Sequence, residues 1–424
     1  MDKTVTGGTI EGNIAPPSSK SYAQRAIAAA LLAPGESTLY NVEMCDDTEA
    51  ALRVIQLLGA QVRQSDETTY AVCGGLNPVS GTLDIGESGL STRLFTPIAS
   101  LCTGPITIDG HNSILRRPMT MMTEPLRRLG VKVKDNKGLL PITVRGPMRG
   151  GEVRLDGSVS SQFLTGLLMS LPLAERGTTI YVDGLKSFPY IDMTIDTMDK
   201  FGIDIDHRDY EEFYVPGGQA YTPADFVMEG DWSAASCLLV AGAVGGNGHG
   251  GSGRGGVTVR NLRSVSLQAD TAIIDALSHA GARVEETGDS ITVCRRNLHA
   301  FEFDATNCPD LFPALVALAA NCEGTSVITG TGRLIHKESD RAAALRSEYG
   351  KLGIEIDTDE DNVMRVTGGK ISGGTVESHG DHRIAMSLAV AALNASEPVT
   401  IRGAECVSKS YADFWQDFDK LRKA

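Results

Sequence analysis

Ile55-Gln-Leu-Leu-Gly59-Ala-Gln-Val-Arg63 puts the end of a helix, a glycine and the start of a strand side by side, and the chain repeats it. Residues eight, four and one before Gly59 (Ala51, Ile55 and Leu58) fall on one helical face. Glycine suits the left-handed residue that closes many helices, and the alternating residues after it read as a short strand. The same frame recurs at Gly130, Gly202, Gly281 and Gly353, at intervals of 71, 72, 79 and 72 residues. Their apolar faces are Met122/Leu126/Leu129, Thr194/Met198/Phe201, Ile273/Leu277/Ala280 and Leu345/Tyr349/Leu352.

A second marker keeps the same period. Short strands bounded by glycine or a turn occur at 35–41, 104–110, 177–184, 256–261, 324–330 and 397–403. A sixth amphipathic helix carries Phe414, Phe418 and Leu421, after which the segment Thr4 to Ile14 is expected to supply the missing strand. The fold expected is α/β, with six βαβαββ-type units in two domains of three. One domain spans 14–227; the other joins 1–13 to 228–424 through a hinge crossed twice.

Each unit has a second helix, apolar nearly all round and therefore buried. These lie at 26–33, 94–101, 163–173, 237–244, 311–320 and 384–393. Their leading ends are polar: Ser18-Ser-Lys20-Ser21 with Gln24 and Arg25, Glu87-Ser-Gly89-Leu-Ser-Thr-Arg93, Ser158-Val-Ser-Ser-Gln162, Asp231-Trp-Ser233, Asp310, and His379-Gly-Asp-His-Arg383. Serine and aspartate there are ordinary caps. Lys20, Arg25, Arg93 and Arg383 are not, because a cation at a helix N-terminus opposes the macrodipole. They make sense beside a bound anion, which both the helix start and the base attract.

Composition narrows the class. At 424 residues the chain exceeds one hydrophobic core. A net charge of −14 disfavours nucleic acid and anionic membranes as partners, and 5% aromatic residues leave little for base stacking. No apolar run reaches the ~18 residues of a membrane span, and residues 1–10 do not resemble a signal peptide. Eight scattered cysteines without a Cys-x-x-Cys pair read as reduced thiols of a cytoplasmic protein. No His/Cys spacing fits a tetrahedral metal site.

At these residues the chain resembles the EPSP synthase (3-phosphoshikimate 1-carboxyvinyltransferase) family of enolpyruvyl transferases. The motifs run in register over nearly the whole chain: Pro16-Pro-Ser-Ser-Lys20-Ser-Tyr-Ala-Gln-Arg25, Gly157-Ser-Val-Ser-Ser-Gln162, Ser187-Phe-Pro-Tyr190, Asn307-Cys-Pro-Asp310, Lys337-Glu-Ser-Asp-Arg341, Asp381-His-Arg383 and Lys409-Ser-Tyr411. The resemblance implies two inside-out α/β barrel-like domains that close over substrate. It also implies transfer of the enolpyruvyl group of phosphoenolpyruvate to the 5-hydroxyl of shikimate 3-phosphate with release of phosphate, in the shikimate pathway to chorismate and the aromatic amino acids. No cofactor and no metal is expected, and the protein is expected to be a monomer.

The family's roles carry over residue by residue. Asp310 would accept the hydroxyl proton, with Lys20 and Glu338 as candidates for the acid side. Lys20, Ser21, Arg25, Ser160, Ser161, Gln162, Ser187, Asp310 and Lys337 would hold shikimate 3-phosphate. Lys20, Gly89, Arg117, Gln162, Arg341, Arg383 and Lys409 would hold phosphoenolpyruvate, and His382 is a further candidate. Two positions depart from the pattern: Glu87 and Arg333 stand where the family usually has asparagine. A carboxylate facing phosphoenolpyruvate is repelled unless protonated, paired or turned away.

Three rival readings are weaker. The sister transferase acting on UDP-N-acetylglucosamine carries a loop cysteine, and Asp109-Gly-His-Asn-Ser-Ile-Leu-Arg-Arg117 has none. A nucleotide-dependent kinase is suggested by the glycine-rich stretch 245–256, which lacks a Gly-Lys-Ser/Thr ending and reads as a flexible αβ connection. A non-catalytic anion-binding repeat scaffold would spread its polar residues instead of setting them at equivalent helix starts.

Overall fold

The computed structural model describes residues 1–246, 255–263 and 265–423. Most of the glycine-rich stretch, 247–254, lies outside the described residues. Twelve α-helices occur among them: α1 (Lys20–Leu32), α2 (Asp46–Leu57), α3 (Gly89–Ala99), α4 (Thr120–Arg128), α5 (Gln162–Ser170), α6 (Pro189–Lys200), α7 (Trp232–Gly245), α8 (Ile273–His279), α9 (Phe312–Ala319), α10 (Arg341–Lys351), α11 (His382–Ala391) and α12 (Phe414–Leu421). Odd-numbered helices are the apolar ones, and even-numbered helices carry the amphipathic faces. None of the described helices is long and apolar enough to cross a membrane.

The repeated glycine has one physical cause throughout. Gly59 N–H donates to the Gln56 carbonyl at 3.1 Å and Ala60 N–H to the Ile55 carbonyl at 2.9 Å, a Schellman closure. The same pair of bonds closes α4, α6, α8 and α10. All five glycines take φ between +77° and +114°, where a side chain is strained. The apolar residues expected to face inward are all at most 2% exposed.

The chain divides into two compact units, residues 18–228 in one, residues 1–17 and 229–424 in the other. Each holds three sheets built on one pattern, in which a short edge strand runs parallel to the strand after a buried helix and antiparallel strands follow; among the described residues, Thr9–Ile10 and Arg422–Lys423 form a further two-stranded sheet. Thr82–Asp84, Ile106–Asp109, Leu139–Arg145 and Lys132–Asn136 form one such sheet in that order. Threonine hydroxyls pair across equivalent strands at Thr107–Thr143, Thr258–Thr292, Thr325–Thr367 and Thr4–Thr400, at 2.8 to 3.0 Å. Strands bury one face, as in Glu152–Asp156, whereas α7 is buried along its whole length. Helices α7, α9 and α11 pack on one another in one unit, and α3 lies along α5 in the other.

Where the chain passes between units the pattern is exchanged. Gly12–Ile14 precedes α1 yet pairs with Val257–Val259, and Asp225–Val227 precedes α7 yet pairs with Gly35–Tyr40. Each strand stays in the unit the chain is leaving. The N-terminal segment also does more than provide one strand. Asp2–Val5 completes the sixth sheet against Val399–Arg402, while Gly12–Ile14 joins a different one.

Candidate active site

The unit of residues 1–17 and 229–424 gathers six charged side chains at the starts of α9, α10 and α11, joined by Lys409 from the 3-10 turn before α12. Arg341, the first residue of α10, is the hub and is 1% exposed. Its Nη1 donates to Asp310 at 2.6 Å, its Nη2 to Glu338 at 2.8 Å, and its Nε to Asp381 at 2.8 Å. Lys337 Nζ reaches Asp310 at 3.1 Å, Arg383 Nε lies 3.7 Å from it, and Lys409 Nζ lies 3.9 Å from Glu338. Four cations therefore meet three carboxylates.

Local structure fixes these positions. Asp381 caps α11 by accepting from Arg383 N–H at 3.0 Å and also receives the Ser339 hydroxyl at 3.1 Å. Asp340 caps α10, and Asp310 sits in the 3-10 turn leading into α9. His382 is 1% exposed with its Nδ1 3.8 Å from Asp381, so it lies within the fold beside the cap. Arg333 donates to the Thr306 carbonyl at 3.4 Å.

The charges set one another's ionisation. Burial opposes the Asp310 carboxylate, but Lys337, Arg383 and Arg341 outweigh it and hold its pKa well below the usual range. Burial lowers the Lys337 pKa despite Asp310. Asp270, also buried, is pushed up to about 6 by burial and by Asp310. Its carboxylate accepts the Ser233 hydroxyl.

Residues 18–228 carry the second set. Arg25 is buried, and its four acceptors are neutral: Thr194 Oγ1 at 2.9 Å, the Ser21 carbonyl at 2.8 Å, the Tyr190 carbonyl at 3.0 Å and Thr165 Oγ1 at 3.4 Å. Burial brings its pKa down to about 10. Lys20, first in α1, pairs with Asp47 at 3.0 Å. At the start of α5, Ser160 Oγ accepts from Gln162 N–H at 3.2 Å, Ser161 is buried, and Gln162 Oε1 accepts from Arg93 at 2.8 Å. Ser187 is 2% exposed with φ +56°, an uncommon left-handed serine ahead of α6.

At Gly89 any side chain would displace the ends of two arginines. A Cβ would lie 2.6 Å from Arg117 Nη1 and 3.0 Å from Arg93 Nη1. Glu87 is paired: it accepts from Asn112 Nδ2 and from Ser113 Oγ, each at 2.8 Å.

Within one unit, then, Asp310, Lys337, Glu338, Arg341, Arg383 and Lys409 share a single network. In the other, Gly89, Arg117 and Gln162 form a group with Arg93, while Lys20 is engaged by Asp47 and Arg25 is buried among hydroxyls and carbonyls. Sequence reasoning left out Asp381, Asp47, Asp270 and Arg93 as site residues. Asp381 and Arg93 were visible inside motifs. Asp47 looks like any acid in a helix's first turn, and Asp270 has no local signature.

Comparison with known proteins identifies the family. The family EPSP synthase (3-phosphoshikimate 1-carboxyvinyltransferase) matches residues 5–418. The 3-phosphoshikimate 1-carboxyvinyltransferase of Clostridium novyi (strain NT) is 37% identical over 423 residues, covering 97% of this chain and 95% of that protein. That of Clostridium kluyveri is 36% identical over 415 residues, with 97% and 95% covered. The solved EPSP synthase of Acinetobacter baumannii superposes with a TM-score of 0.82 at 26% identity, covering 99% of this chain and 98% of that one. A match across nearly the whole chain, together with a carboxylate held among lysine and arginine at three helix starts, places this protein in the EPSP synthase family.

Proposed function

We propose that the two residue sets serve one reaction: transfer of the enolpyruvyl group of phosphoenolpyruvate to the 5-hydroxyl of shikimate 3-phosphate, releasing phosphate. As a member of this family the chain is a 3-phosphoshikimate 1-carboxyvinyltransferase. The observation that carries the residue assignment is the Asp310–Lys337–Arg341–Arg383 cluster.

The chemistry asks for little else. The acceptor hydroxyl loses a proton as its oxygen attacks the enol carbon, and the methylene gains a proton to become methyl. The tetrahedral intermediate then loses a proton from that methyl as phosphate departs, restoring the double bond. Groups that move protons and fixed positive charge supply the catalysis. Asp310 takes the hydroxyl proton. With three cations around it, it is a weak base at rest, but anionic substrates compete for those cations. As Lys337, Arg341 and Arg383 turn towards phosphate and carboxylate, the field holding the Asp310 pKa down weakens and its basicity rises. Glu338 and Lys20 are the candidates for the acid side.

Arg25 supports the shikimate 3-phosphate assignment: a buried guanidinium with only neutral acceptors is stabilised by an incoming anion. Ser21, Ser160, Ser161, Gln162, Ser187 and Lys337 complete that set. Gly89, Arg117, Gln162, Arg341, Arg383 and Lys409 hold phosphoenolpyruvate, with Lys20 shared. Each unit is read as an inside-out barrel of three repeats, and the enzyme as a cytoplasmic monomer.

The test is phosphate release from phosphoenolpyruvate with shikimate 3-phosphate, run beside UDP-N-acetylglucosamine. Release with shikimate 3-phosphate alone is expected. Release only with the nucleotide sugar, or with neither, would overturn the reading.

A further inference from the structure

Glu87 joins two loops, and the second of them ends in Arg117. Its carboxylate accepts from Asn112 Nδ2 at 2.8 Å, Ser113 Oγ at 2.8 Å and Ser113 N–H at 3.3 Å. His111 adds its N–H to the Gly86 carbonyl at 3.1 Å, and its ring Nδ1 lies 3.9 Å from Glu87. A 3-10 turn, Asn112–Arg116, then leads to Arg117, with Ile114 buried as its anchor. Arg117 is 8% exposed, and its Nη1 is the atom that a side chain at Gly89 would strike.

We propose that Glu87 is a positioning residue for phosphoenolpyruvate: by stapling residues 112–113 to its own loop, it sets Arg117 over Gly89. This rests on the assignment of Arg117 and Gly89 to that substrate. An acid at this position would ordinarily weaken an anion site. Here the carboxylate is engaged by three neutral donors of the neighbouring loop, and these hydrogen bonds hold the arginine's loop in place. Hydrogen bonds to an ionised acceptor are about twice as strong as neutral ones, so the staple is a substantial restraint on an exposed segment. Glutamine keeps an oxygen for Ser113, and its NH2 can donate to Asn112 once that amide turns to present Oδ1; alanine keeps neither.

Phosphate-release kinetics of Glu87→Ala and Glu87→Gln test the idea, each substrate varied at saturating levels of the other. The alanine variant should raise the KM for phosphoenolpyruvate about tenfold, leave the KM for shikimate 3-phosphate unchanged, and change kcat far less. Glutamine should restore most of the loss. An unchanged or lower KM for phosphoenolpyruvate in the alanine variant overturns the proposal, as does an equal rise in both KM values or a glutamine variant as impaired as alanine. Should Glu87→Ala not fold, Ser113→Ala removes one arm of the staple and is read in the same way, with a smaller rise. Wild-type protein that releases no phosphate would instead sink the functional reading on which this proposal stands.

Discussion

Arg341 Nη1 stands 2.6 Å from the Asp310 carboxylate, so a proposed phosphoenolpyruvate ligand and the proposed proton acceptor neutralise each other at rest. The pairing stores the base in its ionised form and keeps a buried guanidinium satisfied. It also ties base strength to the presence of anions, since whatever draws Arg341 away strengthens Asp310.

Asp310→Ala should therefore fold and bind yet lose at least about 100-fold in turnover, the range general-base removal commonly costs. Single-turnover phosphate release checks it, with circular dichroism as the folding control. Turnover within a few-fold of wild type would remove Asp310 from the proton path.

Arg341 carries a structural load as well. Asp381 is fully buried and receives Arg341 Nε at 2.8 Å. Arg341→Ala leaves that carboxylate without its guanidinium, a loss on the order of 3–5 kcal/mol for a broken buried pair. Arg341→Lys keeps the charge but not the fork that reaches three carboxylates at once. Urea melts should rank wild type above lysine and lysine above alanine, with both variants strongly impaired in turnover. Equal stability for all three would show that the buried network is not holding the start of α10.

How far the sequence alone could reach follows from which forces are local. Gly59 and its four counterparts were legible because a Schellman closure demands a left-handed residue next to a fixed apolar face, all within nine positions. The buried helices were legible because they are apolar on every side. The exchange of Gly12–Ile14 and Asp225–Val227 between units was less so, since strand pairing over more than 180 residues leaves no local trace. At the site, Lys20, Arg25 and Arg383 stood out as cations at the wrong end of a helix dipole. The partners that restrain them did not: Asp47 and Asp381 look like helix-start acids until the fold sets a base against them. Glu87 looked unfavourable for an anion site, because Asn112 and Ser113, which donate to it, lie 25 and 26 residues further along the chain.

Gly166 tests the packing that carries the start of α5. A Cβ there would lie 2.1 Å from the Arg93 carbonyl of α3, closer than atoms can approach. Gly166→Ala must push the two helices apart, and overpacking of this kind costs about 1–3 kcal/mol. Because α5 begins at Gln162 and α3 carries Arg93, the 2.8 Å bond between those side chains should stretch or break. The expected outcome is a lower melting temperature with a raised KM for phosphoenolpyruvate. A variant as stable as wild type would mean that α3 and α5 have room to spare.

Asp270 gives the pH signature of the buried cluster. Burial and Asp310 raise its pKa from an ordinary 3.8 to about 6. Between those values the folded protein holds a proton that the unfolded chain has released. Stability is therefore lost as pH rises through that window, and the loss is complete above it. An Asp270→Asn variant presents the same shape without the titration, and its amide oxygen can still accept the Ser233 hydroxyl. Wild type and variant should be close in stability near pH 4, and the variant should lead by about 1–3 kcal/mol at pH 7.5. Urea melts at the two pH values measure the gap. If it narrows as pH rises, or does not change at all, Asp270 is ionised throughout and the charge balance drawn for this cluster is wrong.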